Sequence, residues 1–159
     1  MKEKRAHCIE GAMFAALAFR IHGQKPFVLD LTSSRHDFDH VVAPFKQHGC
    51  WGAVSKTNHA VLRYREPVYK TIRELVLSYF HEYFDKKGFK TLRSFSHPVD
   101  LSRFDTQSWM TNPNHNWFVA QYLVDVKHYL LLSRAQISSL RRADPVEIKA
   151  GEIVEWSKF

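Results

Sequence analysis

An α+β fold is the expectation from this sequence, and three changes of pattern along it carry that expectation. An alanine-rich apolar stretch with helical character runs from Cys8 to about His22 and stops at Gly23. From Phe27 to Tyr64 the apolar runs shorten to strand length and are separated by turn residues. Helical spacing returns near Pro67 and again near Asn116. One helix is therefore expected to lie across a small antiparallel sheet, followed by a helical C-terminal half.

Each element follows from its residues. In the first helix Gly11, Ala12, Ala15, Ala16 and Ala18 are small while Met13, Phe14, Leu17 and Phe19 are large, so another backbone is expected close to the small face. Lys25-Pro26 opens a strand at Phe27-Val28-Leu29-Asp30-Leu31, and a polar loop runs from Thr32 to Asp39. Strands at His40–Lys46 and Trp51–Thr57 form a hairpin around Gln47-His48-Gly49-Cys50. Pro44 lacks a ladder donor, which predicts an edge or bulged position for the first of them. A further strand is expected at His59–Tyr64. Pro67 suits the first position of a helix to Lys87, with Val68, Ile72, Leu75, Tyr79, Phe80 and Tyr83 on its apolar face and Gly88 at its end. Residues 89–114 read as irregular apart from a short strand at Thr91–Ser96. A helix over Asn116–Ser133 would bury Trp117, Tyr122, Val126, Tyr129 and Leu130, and two short helical pieces flank Asp144-Pro145.

Composition narrows the function classes. The chain has 159 residues, 45% apolar and 14% aromatic, which supplies a real core for one domain. No run approaches the ~18 to 20 apolar residues of a membrane span. Met1–His7 carries no apolar block ahead of Cys8, so a soluble cytoplasmic protein is expected and a membrane partner is not. The net charge is +7, but its cations are spread (Lys2, Lys4 and Arg5; Arg63 and Arg65; Lys86 and Lys87; Arg141 and Arg142) and accompany no nucleic-acid-binding signature. Solvated basic faces are expected rather than a nucleic-acid partner. Cys8 and Cys50 are too few for a disulfide scaffold and lack zinc-type spacing.

Cys8 is the first candidate for chemistry. A thiolate in the first turn of a helix faces unpaired backbone N–H groups and the positive end of the helix dipole, the setting in which cysteine acts as a nucleophile. His40, at the start of a strand, is the candidate proton carrier; the hairpin brings Thr57 opposite it, with Ser55 and Asn58 close by, and any of these can accept from the imidazole. His36-Asp37-Phe38-Asp39-His40 also packs two histidines and two aspartates into five residues, a metal-like density that Cys8 could join. A second histidine-bearing motif to complete such a site is missing, so neither a metal nor another cofactor is expected.

Cys8-Ile9-Glu10-Gly11-Ala12, followed by the alanine-rich helix and His22-Gly23 ahead of a strand, resembles the nucleophile helix of the transglutaminase-like superfamily, whose core is papain-like. Asp39-His40-Val41-Val42 takes the family's histidine position, and Trp51-Gly52-Ala53-Val54-Ser55 resembles its tryptophan-containing strand. That strand normally ends in an aspartate; here Ser55 stands there, with Asn58 beyond it. Val42 replaces a tryptophan expected after the histidine, and little chain precedes Cys8. The resemblance covers residues 8–60, about a third of the chain, and implies a single transglutaminase-like domain with a Cys-His core over residues 1–64 and a helical extension over 65–159. It further implies a cysteine hydrolase or acyltransferase acting on an amide or ester of a peptide, protein or small molecule through a thioester. Cys8 would attack, His40 would shuttle the proton, and the Cys8 backbone N–H would help hold the oxyanion. Ser55, then Asn58, would orient His40, with Asp37 or Asp39 from the preceding loop as substitutes. The missing aspartate leaves open a member without catalysis, acting as a protein-binding or structural module through its aromatic-rich helices.

Overall fold

Small residues let the first helix lie flat on a sheet. In the computed structural model, which describes residues 7–112 and 116–156, helix α1 (Cys8–Ile21) buries Ala12, Met13 and Ala16. It packs across β1 (Phe27–Ser33), β2 (His40–Gln47) and β3 (Cys50–Ser55), mostly against β2. The close approach expected of the small residues is met at Gly11, where an added Cβ would collide with the Lys56 side chain. The basic residues Lys2, Lys4 and Arg5 lie outside the described residues.

The sheet is antiparallel throughout, in the order β4-β3-β2-β1-β5-β7, and β6 also pairs with β1. Its later strands are β4 (Arg65–Tyr69), β5 (Leu92–Ser96), β6 (Val99–Asp100) and β7 (His128–Leu130). Helices α2 (Ile72–Phe80), α3 (Trp117–Asp125), α4 (Arg134–Ser138) and α5 (Pro145–Glu152) complete the described chain, with a 3-10 segment over Leu101–Gln107. The α+β class is thus the observed one. The expected helical C-terminal half is not: four of the seven strands come from it, and two of these, β5 and β7, extend the sheet beyond β1.

Alternation along the strands divides the core in two. On one face Val28, Val41 and Ala43 pack with Ala12, Met13 and Ala16 of α1 and with Val119 and Leu123 of α3. On the other, Leu29, Leu31, Val42 and Phe95 pack with Leu75, Val76, Tyr79 and Phe80 of α2. Successive strand residues point to opposite faces, so each position on β1 and β2 commits its side chain to the α1 face or to the α2 face.

Other expectations are revised by specific contacts. Residues 65–69 form β4 instead of a first helical turn, because they pair with β3 at the edge where Pro67 is tolerated; α2 starts after Thr71, whose hydroxyl accepts from Glu74 N at 3.1 Å. Pro44 lies within an interior strand, two residues past the last β1–β2 partner pair, Leu29↔Val42, where pairing with β1 does not require its missing donor. The hairpin turn is the two-residue His48-Gly49, with φ of 49° and 80° inside the Gln47↔Cys50 pair, the conformation that matches strand twist. No strand forms at His59–Tyr64: Leu62 adopts a φ of 58°, and His59 and Ala60 bond instead to the C-terminal segment at Val154 and Ile153. The third helix ends at Asp125, and Tyr129 and Leu130 leave its apolar stripe to pair with Phe95 and Ser94.

Candidate active site

The α1 face of β1 carries two polar residues where its neighbours are apolar. Asp30 and Thr32 alternate with Leu29 and Leu31, which belong to the opposite core. Asp30 stays in place because its backbone N–H donates to Ser96 Oγ at 3.0 Å across to β5, and the Thr32 hydroxyl donates to Asp30 Oδ2 at 2.7 Å. One strand further out, β7 sets His128 opposite Ser96, and its Nε2 lies 3.2 Å from Asp30 Oδ2. His128 Nδ1 is 2.7 Å from the Val126 carbonyl, which can only accept, so this nitrogen carries a proton.

Cys8 completes the group. It is the first residue of α1, partly exposed, and shares with Asp30, Thr32, Asp39 and His128 the wall of one cleft of about 320 Å³. Ile9, Val41 and the Ala120, Leu123 and Val124 side of α3 supply the apolar remainder of that wall. The helix start is held by the Glu10 carboxylate, which accepts from His7 N at 2.7 Å. Asp39 reaches the cleft because it precedes β2 on the α1 side; its Oδ1 accepts from Ser33 N at 2.7 Å.

Proton chemistry in the cleft centres on the Asp30–His128 contact. Burial pushes the Asp30 carboxyl above the usual carboxylate range, partly offset by the hydrogen bonds it accepts from Thr32 and His128. With Nδ1 already protonated, a proton in the Nε2–Oδ2 contact makes the pair neutral overall, and its removal leaves one negative charge. A carboxylate–imidazole contact in the same cleft as a thiol is an arrangement that can give and take a proton as a general acid–base.

The residues singled out from sequence are distributed differently. Cys8 and His40 are not brought together: Cys8 packs on the α1 core, whereas His40 alternates with Val41 and lies on the α2 face. His40 and Ser55 do meet there, at 2.7 Å between Nε2 and Oγ. Ser55 also donates its hydroxyl proton to the Leu62 carbonyl, so it can only accept from His40, and Nε2 carries the proton. Burial alone pulls the His40 imidazole down to about 4, keeping it neutral. Asn58 is committed elsewhere: its side chain accepts from Trp156 N at 2.9 Å and donates to Trp156 O at 2.8 Å, clasping the C-terminal segment. Asp37 caps its own loop at Phe38 N and accepts from the Thr91 hydroxyl at 2.5 Å, and His36 bonds to Arg35.

Asp30 and His128 are the members that sequence reasoning missed. Asp30 had a signal, since a charged residue inside a run of buried apolar strand positions needs a partner. His128 had none of comparable clarity, because the helical spacing of Tyr122, Val126, Tyr129 and Leu130 ran straight through it. Compared with known proteins, the chain matches no family model and no curated protein.

Proposed function

We propose that this protein is a transglutaminase-like cysteine hydrolase or acyltransferase in which Cys8 is the nucleophile and the Asp30–His128 pair is the proton carrier. The observation that carries this reading is the shared cleft: a thiol at the start of a 14-residue helix lines the same cleft as a carboxylate–imidazole contact of 3.2 Å whose carboxylate is buried. A helix laid across an antiparallel sheet with the cysteine at its N-terminus agrees with the papain-like resemblance of residues 8–60. The histidine, however, comes from β7 rather than from β2. The same reading takes residues 1–159 as one transglutaminase-like domain in which the later strands complete the site. It places the protein in the cytoplasm, where two unpaired cysteines stay reduced.

The reaction follows from the proton count. The Asp30–His128 pair, lacking its shared proton, takes the Cys8 thiol proton as Sγ bonds to the carbonyl carbon of an amide or ester. Backbone N–H groups at the start of α1 face the developing oxyanion. Collapse breaks the C–N or C–O bond, the pair returns its proton to the departing amine or alcohol, and a thioester on Cys8 remains. Water as the second nucleophile gives hydrolysis, and an amine gives transfer; in both the pair removes the nucleophile's proton and restores the thiol.

Iodoacetamide labelling against pH tests the site. Cys8 should label faster than Cys50 near pH 6, and Asp30→Asn and His128→Gln should each shift the Cys8 profile while His40→Gln leaves it in place. Equal labelling of the two cysteines, or a profile that moves only with His40, would overturn this assignment.

A second reading has its own observation. The family's usual histidine position, His40, is buried on the far face and bonded to Ser55, as in a member that keeps the fold without the catalysis. It would act as a protein-binding or structural module, and a Cys8→Ala variant would then retain full function.

A further inference from the structure

The proton-carrying histidine sits on the last strand of the sheet, and that placement has a consequence for substrate. Leu131 N donates to Arg93 O at 2.9 Å, and Leu130 pairs with Ser94, so β7 uses residues 129 and 131 to bond to β5. The backbone groups of His128 and Leu130 therefore face outward. Of these, the Leu130 carbonyl accepts from Arg73 Nη1 at 3.3 Å. The His128 N–H and C=O and the Leu130 N–H have no partner among the described residues. An unpaired edge of this kind is a template for an added strand.

The two sides of the edge differ in chemistry. On the α1 side, Leu130 is 78% exposed next to His128, and Val124 at the cleft wall is 72% exposed. On the α2 side are three cations. Lys127 stands 5.2 Å over the Tyr129 ring, Arg73 of α2 bonds to the Leu131 carbonyl at 2.6 Å, and Arg93 opposite Leu131 bonds only to the Leu92 carbonyl. None of the three is paired with a carboxylate among the described residues.

We infer that the substrate is an extended acidic peptide that adds as a strand to β7, its reacting residue facing the Cys8 cleft and acidic side chains at the alternate positions facing Lys127, Arg73 and Arg93. A strand presents successive side chains to opposite faces. A peptide paired with His128 and Leu130 thus carries every second residue toward the cleft and the residues between toward the cations. The backbone bonds supply register, and the charges select the sequence. This inference rests on the Cys8 cleft being the reaction site, because that is what gives one face of the bound peptide its chemistry.

Fluorescence anisotropy with labelled Glu-Val-Glu-Val-Glu and Lys-Val-Lys-Val-Lys peptides tests it on the full-length Cys8→Ala variant. Removing the thiol separates binding from the chemistry tested by alkylation. The acidic peptide should bind about tenfold or more tightly than the basic one, as charge selection at an interface requires. Its affinity should fall between ~50 and ~300 mM salt as screening shortens the range of the cations. Arg73→Gln and Lys127→Gln should each weaken it several-fold, and N-methylation of alternate peptide amides should abolish binding in one of the two registers. Equal binding of the acidic and basic peptides, or no effect of N-methylation in either register, would overturn the inference. Failure of binding alongside normal Cys8 alkylation would reject the peptide and leave the thiol site standing.

Discussion

Ser55 has one hydroxyl proton, and the Leu62 carbonyl takes it. Its oxygen is left to accept from His40 Nε2 at 2.7 Å, which makes Ser55 the acceptor that holds a buried neutral imidazole on the α2 face. Ser55→Ala would strand that N–H without a partner, a loss of about 1 to 3 kcal/mol for a buried donor. Urea denaturation should show it, while the alkylation profile of Cys8 stays unchanged. Asn58 has a comparable duty at the surface, bonding Trp156 through both side-chain atoms. Asn58→Ala should cost about 1 kcal/mol and speed amide exchange in residues 153–156, again without altering Cys8. Asp30 is the opposite case, a carboxyl whose burial and partners serve the cleft. The sequence displays it within Phe27–Leu31 as the one charge in an apolar run, but which histidine answers it depends on strands brought together from far apart in the chain.

At the scale of elements, β3 is the test of how tightly the sheet is assembled. Gly52 sits where an added Cβ would lie 2.7 Å from the Arg65 carbonyl and 2.7 Å from Phe45 Cζ. Gly52→Ala should therefore cost about 1 to 3 kcal/mol by overpacking and loosen β4, read as faster amide exchange over 65–69. The α1 helix and the β2–β3 hairpin were legible because their signals are local: alanine spacing, Gly23 as a stop, and His48-Gly49 as a turn. β4 and β7 were not, because each is short and lies inside a helix-like pattern, and pairing with β3 or β5 decides its conformation. The histidine of the cleft was hidden for the same reason. His128 was expected within the helix over Asn116–Ser133 and lies instead on the edge strand β7.

Across the whole molecule, the sheet separates two jobs that the sequence placed together. Its α1 face holds the thiol cleft, and its α2 face holds the core richer in buried aromatic rings, Tyr79, Phe80, Tyr83 and Phe95, with His40 buried on the same face. That burial gives the fold a defined response to acid. His40 titrates at about 4 when folded, against its ordinary 6.5, because burial disfavours the imidazolium. Below pH 6.5 the unfolded chain binds a proton that the folded chain refuses until about pH 4, so this residue's contribution to stability is complete above 6.5 and falls as the pH drops through that window. The total loss is about 3 kcal/mol, a sizeable fraction of the stability of a small domain. His40→Gln removes the titrating group while keeping an N–H for Ser55. Urea unfolding at pH 7 and at pH 4.5 should then show a pH-induced loss smaller by about 2 to 3 kcal/mol in the variant than in the native chain. Equal losses in the two proteins would mean that His40 takes up its proton without unfolding the α2 face, and that this face opens to water more readily than its packing indicates.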